Sequence, residues 1–228
     1  MTFTGVVGRI FGPIINGIVT ALSLSRVHPN VLTFMGLLIN IWAAFLFAAG
    51  TFRWAGIVLI GAGLFDMVDG RVARETNRVT RFGGFFDSVV DRYSDLAVLV
   101  GLLVYYASIN RFFYVVLTAI VMTGTVMVSY TRARAENTIP RCKVGFLERP
   151  ERVVLVIIGG LFNLMAPVLW VIAVLSNWTV ISRMLYTWQE AARLENAQLR
   201  SVPETEAKAL AAGAKAPPRS SSKSAARA

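Results

Sequence analysis

An uncharged run at residues 31–50 constrains this chain more than any other feature, because it matches the ~20 consecutive apolar residues a helix needs to cross a bilayer. Lipid offers backbone N–H and C=O groups no partners, so such a run satisfies its own hydrogen bonds as a helix. Further apolar runs at 54–65, 85–107, 112–130, 153–164 and 167–186 bring the expected spans to six. The chain is 55% hydrophobic and only 16% charged, with a mean hydropathy of +0.59, too apolar for an ordinary soluble domain. The boundary at 163–167 is the weakest, since spans five and six can also be counted as one broken helix. A helix opened by the charged cluster at 148–152 reaches its length by Leu164, which favours six.

The expected fold is therefore an all-α integral membrane protein with six transmembrane helices. Residues 2–22 mix apolar positions with Arg9, Pro13 and Asn16 and read as an N-terminal amphipathic helix lying in the interface. The expected division is a juxtamembrane helix at 1–24, a six-helix domain at 25–200 and a disordered basic tail at 201–228, rich in Ala, Pro, Ser and Lys. No signal-peptide pattern opens the chain, so insertion is expected through the spans themselves.

Charge orients the bundle. Six spans put Arg26, Arg71, Arg74, Arg78, Arg81, Arg132, Arg134, Arg141, Lys143, Arg149, Arg152 and the basic tail on one side, against Arg53 and Arg111 on the other. By the positive-inside rule the crowded side and both termini are cytoplasmic, in a multi-pass protein of the cell membrane. The net charge of +10 then reflects orientation and anionic lipid rather than nucleic acid, which is excluded as a partner. Cys142 and His28 each stand alone, so neither an intrachain disulfide nor a Cys-based metal site can be built.

Into this apolar background are set Asp66, Asp69, Asp87 and Asp91, with Gly70, Ala73, Arg74 and Gly83 between and beside them. On helices, Asp66 and Asp69 share one face and Asp87 and Asp91 share another, since residues three or four apart are neighbours. Four converging carboxylates repel unless a cation lies between them, and hard oxygen ligands suit Mg²⁺, Mn²⁺ or Ca²⁺. Pairing with Arg71, Arg74, Arg78 and Arg92 is the bland alternative, but it requires neither the paired spacing nor the glycines. The small residues leave room for a ligand near the backbone, and Arg74 offers phosphate a fork. Metal, cation and space together suggest a pyrophosphate-containing substrate, with Asp91 the best-placed proton acceptor. A divalent-cation transporter is the remote alternative, and it expects carboxylates near the bilayer midplane.

The series Asp66-x2-Asp69-Gly70-x2-Ala73-Arg74, then Gly83-x3-Asp87-x3-Asp91, resembles the signature of the CDP-alcohol phosphotransferase family, eight positions at fixed spacing. The resemblance implies membrane enzymes that join an alcohol to a CDP-linked lipid and release CMP. It implies metal ligation by Asp66, Asp69, Asp87 and Asp91, by Mg²⁺ or Mn²⁺ and as two ions, with Asp91 also the base. It implies contacts to the CDP-lipid from Pro29, Asn30, Gly70, Ala73, Arg74, Thr80 and Gly83, and assembly as a homodimer. The segments around Ser129–Arg132 and 148–152 resemble those of the family's prokaryotic phosphatidylinositol phosphate synthases. That likeness implies CDP-diacylglycerol and myo-inositol 1-phosphate as substrates, with Ser129, Arg132, Arg152 and Arg193 as candidates to hold the acceptor phosphate. A phosphatidylglycerol phosphate synthase using glycerol 3-phosphate is the near rival.

Overall fold

The computed structural model describes residues 29–75, 80–140, 142 and 144–201; the side chains of residues 29, 67, 69–75 and 198–201 lie outside that description. The interfacial helix expected at 2–22 and the tail from 202 onward are also outside it. Among the described residues there are six helices and no strand: α1 Pro29–Ala48, α2 Phe52–Glu75, α3 Arg81–Ser108, α4 Phe112–Ala135, α5 Arg149–Leu161 and α6 Met165–Ser201.

Local chemistry explains the breaks. The chain leaves α1 through Gly50 at φ +77°, with the Thr51 N–H donating back to the Leu46 carbonyl at 2.9 Å. Asn110 ends α3 in the same left-handed conformation, φ +54°, and the Arg111 N–H reaches the Tyr106 carbonyl at 2.9 Å. Asn163, φ +57°, separates α5 from α6, with the Leu164 N–H on the Gly159 carbonyl at 2.8 Å. Asn tolerates this conformation better than most residues, and such bonds satisfy carbonyls that a helix end would leave unpaired. The doubtful boundary is thus a real turn between two helices.

Both helices that carry the aspartates run beyond their apolar spans. α2 continues past the run at 54–65 to Glu75, keeping Asp66 and Asp69 on helix, and α3 begins at Arg81, ahead of the expected span start at 85. Thr80 caps α3 by accepting the Gly83 N–H at 2.9 Å, satisfying a donor at the helix start. The aspartate motif therefore lies on helix on both sides of a short link.

Among the described residues, three helices are long and apolar enough to cross a membrane, over Asn30–Ala48, Phe112–Ala135 and Met165–Ala197. α2 and α3 have the length but give one end to charged residues, whereas α5, at 13 residues, is about 20 Å long. The helices pack α1 on α2 and α3, α3 on α4, α4 on α6, α2 on α5 and α5 on α6. The core centres on Phe47, Leu102, Val121, Leu169 and Ile172, while Trp42, Phe45, Trp54, Phe112 and Trp178 remain exposed on the outside. In water that exterior would be a liability, but in a bilayer it is solvated by lipid.

With lipid outside, burying apolar surface does little to hold helices together, and close packing does more. α1 and α3 meet at Gly101, where an added Cβ would lie 2.2 Å from the Ala44 carbonyl oxygen. Gly101→Ala is expected to force these helices apart and destabilise the protein by about 1–3 kcal/mol, measured as a lower unfolding temperature in detergent.

Candidate active site

α3 carries Asp87, Asp91 and Asp95 at successive turns, α2 brings Asp66, and the start of α5 brings Glu148, Arg149 and Arg152. Arg149 joins three of the carboxylates. Its Nη2 lies 2.8 Å from Asp66 Oδ2, its Nη1 3.1 Å from Asp91 Oδ1 and its Nε 3.5 Å from Asp95 Oδ1. Burial of Arg149 pushes its guanidinium toward the neutral form. Asp95 first, then Asp66 and Asp91, more than offset this and hold its pKa above the ordinary arginine value. Arg152, only 4% exposed, donates through Nη2 to Asp95 Oδ2 at 2.5 Å, where Asp95 is 9% exposed. Arg149 Nε and Arg152 Nη1 are buried without a hydrogen-bond acceptor among the described residues.

The opposite wall is basic. α4 ends with Ser129 and Arg132, and α6 contributes Arg183, a buried arginine whose Nε donates to the Val144 carbonyl at 2.8 Å and whose Nη1 donates to the Val128 carbonyl at 2.5 Å. The segment between α4 and α5 is thereby pinned to the bundle. Gly145 in that segment has φ +126°, and a Cβ there would lie 2.5 Å from Thr179 Cγ2, so the chain can approach α6 this closely only as glycine. Between the walls lies a cavity of about 430 Å³, lined among others by Asp91, Asp95, Ser129, Arg132, Arg149 and Arg183.

The expected site residues are distributed unevenly over this geometry. Asp66 and Asp91 converge as expected, with Asp95 beside them, while Asp87 stays exposed one turn before Asp91. The side chains of Pro29, Asp69, Gly70, Ala73 and Arg74 fall outside the described set. Asn30, Thr80 and Gly83 come together: a Cβ on Gly83 would lie 3.0 Å from Thr80 Oγ1 and 3.5 Å from Asn30 Oδ1. Ser129 and Arg132 line the cavity. Arg152 instead turns inward to Asp95, bordering a smaller hollow with Asn40 and Leu59. Arg193 is 81% exposed, with Glu190 at 3.8 Å, and lines neither space.

Three residues escaped the motif. Asp95 continues the spacing of Asp87 and Asp91 by one more turn and was legible as such. Arg183 is a lone cation near the end of an apolar span, which is itself a signal of function. Arg149 was visible only as one of a charged cluster, and nothing in the sequence pairs it with residues 54–83 positions earlier.

The chemistry of the donor set fits a divalent cation. Three carboxylates are already gathered round one positive charge, and hard oxygen donors are what Mg²⁺ and Mn²⁺ take. With the broad guanidinium between them, no group of three His, Cys, Asp or Glu among the described residues stands close enough to hold a metal.

Among the described residues the protein is an all-helical bundle of membrane-protein character with an acidic cluster facing a basic wall, and comparison with known proteins gives the family. Residues 26–188 match the model of the CDP-alcohol phosphatidyltransferases, and the chain belongs to that family. The archaetidylinositol phosphate synthase of Methanothermobacter thermautotrophicus is 33% identical over 193 residues, 82% of this chain and 93% of that protein. The phosphatidylinositol phosphate synthase of Mycobacteroides abscessus is 36% identical over 184 residues, 76% of this chain and 83% of that one. Crystal structures of the Mycobacterium tuberculosis phosphatidylinositol phosphate synthase superpose with a TM-score of 0.71 with manganese and citrate and 0.68 with CDP-DAG bound. Both are 33% identical, covering 76% of this chain and 88% of that one in the first case, 79% and 94% in the second.

Arg152→Ala removes the closest partner of a buried carboxylate and is expected to destabilise the protein by about 3 kcal/mol, the low end for a broken buried pair because Arg149 remains nearby. Thermal unfolding in detergent checks this. An additional Asp95→Asn substitution should recover part of the loss.

Proposed function

We propose that the protein transfers a phosphatidyl group from CDP-diacylglycerol to myo-inositol 1-phosphate, giving phosphatidylinositol phosphate and CMP. The observation that carries this is one cavity with carboxylates on one wall and Ser129, Arg132 and Arg183 on the other. An uncharged acceptor would have no use for two guanidinium groups, whereas a phosphorylated alcohol does. Support also comes from the relatives, whose names agree on inositol phosphate while differing in the lipid. That difference favours a second reading, in which the donor is an archaetidyl rather than a diacylglycerol lipid.

Asp66, Asp69, Asp87 and Asp91 would hold Mg²⁺ or Mn²⁺, as two ions, and the metal when bound neutralises charge on the pyrophosphate. Arg132 and Arg183 grip the acceptor phosphate and turn the inositol hydroxyl toward Asp91. Asp91 takes the hydroxyl proton, the oxygen attacks the lipid-side phosphorus, and the bond to CMP breaks. Asn30, Thr80 and Gly83 form the edge along which the CDP-lipid lies, while its acyl chains stay in the bilayer between helices. All six helices span the membrane in this reading, with the cavity and both termini on the cytoplasmic side and the active protein a homodimer.

The purified protein with CDP-diacylglycerol and Mg²⁺ or Mn²⁺ is expected to release CMP on addition of inositol 1-phosphate. Turnover with glycerol 3-phosphate alone would overturn the assignment, and the archaetidyl donor run in parallel distinguishes the two lipid readings. Asp91→Asn is expected to lower CMP release by at least ~10²-fold, the lower range for loss of a general base; near-normal turnover would remove Asp91 from that role.

A further inference from the structure

Glu148 and Arg149 are adjacent, yet each binds the wall of opposite charge. Glu148 Oε1 accepts from Arg132 Nη1 at 2.7 Å and lies 3.7 Å from Arg183 Nη2, while Arg149 bridges Asp66, Asp91 and Asp95. We propose that the two are internal counter-ions: in the free enzyme the Glu148 carboxylate holds the place of the acceptor phosphate, and the Arg149 guanidinium holds the place of the divalent cation. They are then positioning residues that keep both half-sites preformed and yield to the incoming ligands. The inference rests on the proposed reading of the cavity.

Three observations carry it. Glu148 is the N-cap residue of α5, but its side chain makes no capping hydrogen bond and reaches across the cavity instead. A carboxylate at that position would ordinarily serve its own helix, where the dipole favours negative charge. The pairs are also replaceable. Glu148 is 48% exposed and Arg132 44%, and exposed ion pairs are weak. Arg149 Nε lacks a hydrogen-bond acceptor among the described residues, so its fit among the carboxylates is incomplete.

Finally, the two share a peptide bond, with Pro150 following at the start of α5. A backbone shift that withdraws one side chain also moves the other. Cation and phosphate loading are therefore coupled, and the coupling is reciprocal.

The test uses the full chain in detergent, with Mn²⁺ alone followed by paramagnetic resonance and inorganic phosphate alone followed by calorimetry. Arg149→Gln removes a competitor for the carboxylates and is expected to bind Mn²⁺ at least about fivefold tighter, the low end of couplings between sites. Arg149→Lys, which keeps the charge, should restore the wild-type affinity. Glu148→Gln should bind phosphate tighter by a similar factor, with a smaller gain in Mn²⁺ affinity through the coupling. A merely structural role would leave these affinities equal or weaken them, and either result overturns the proposal. Should Arg149→Gln fail to fold, the exposed Glu148→Gln decides alone, and unchanged or weaker phosphate binding refutes the counter-ion role. If the wild-type protein binds both ligands and the variants do not differ from it, only this inference falls; if it binds neither, the functional reading of the cavity falls as well.

Discussion

The Arg149 guanidinium is what allows three carboxylates from two helices to share one partly buried place. Asp66 on α2 and Asp91 and Asp95 on α3 would repel one another at the end of a membrane bundle, where charge is poorly solvated. Ion pairing brings Arg149 and Arg152, both on α5, onto these carboxylates. It also ties α5, the shortest helix described, to α2 and α3 by charge where its 13 residues offer little apolar area.

The basic wall is assembled by a different device. Arg183 is buried on α6, and two of its nitrogens are spent on backbone carbonyls of residues 128 and 144. The bond to Val128 ties α4 to α6, and the bond to Val144 holds the segment between α4 and α5 against α6, close to where Glu148 and Arg149 enter the cavity. The same residue thus shapes the wall and places the chain that crosses it. A flexible lysine could supply the charge but not the rigid fork that meets two carbonyls at once.

The bilayer accounts for the rest of the design. Large side chains face outward, and small ones such as Gly101 lie where helix backbones meet, because lipid solvates a leucine as well as a core does but cannot replace close backbone contact. Polar chemistry is accordingly concentrated at helix ends. Asp91 lies in the first half of α3 and Asp95 one turn on, at its midpoint, while Arg132 is in the last turn of α4 and Arg149 is the first residue of α5.

Much of this was legible without coordinates. Hydropathy alone marks helical segments, because an apolar run in lipid must satisfy its own backbone, and the Asp66-to-Asp91 spacing specifies one face on each of two helices because the helical repeat is local. The helix count and the shared face of Asp87 and Asp91 follow from those periodicities, whereas the meeting of Asp66 with Asp91 depends on how the helices pack. The helices outrun their apolar spans at the ends, where Thr80 starts α3 earlier and no breaker stops α2 before Glu75. The partners of the aspartates could not be read in this way. Arg149 is separated from Asp66 by 83 positions, and Arg183 from Val128 by 55, and no periodicity carries across such distances. Arg132, Arg152 and Arg193 look alike as charges beside spans, yet one lines the cavity, one is buried on Asp95 and one faces outward. The sequence by itself determined which segments are helices and which face of each carries charge, because those depend on neighbours three and four residues away. Only the tertiary structure decided which cation meets which anion, because that depends on how the helices pack.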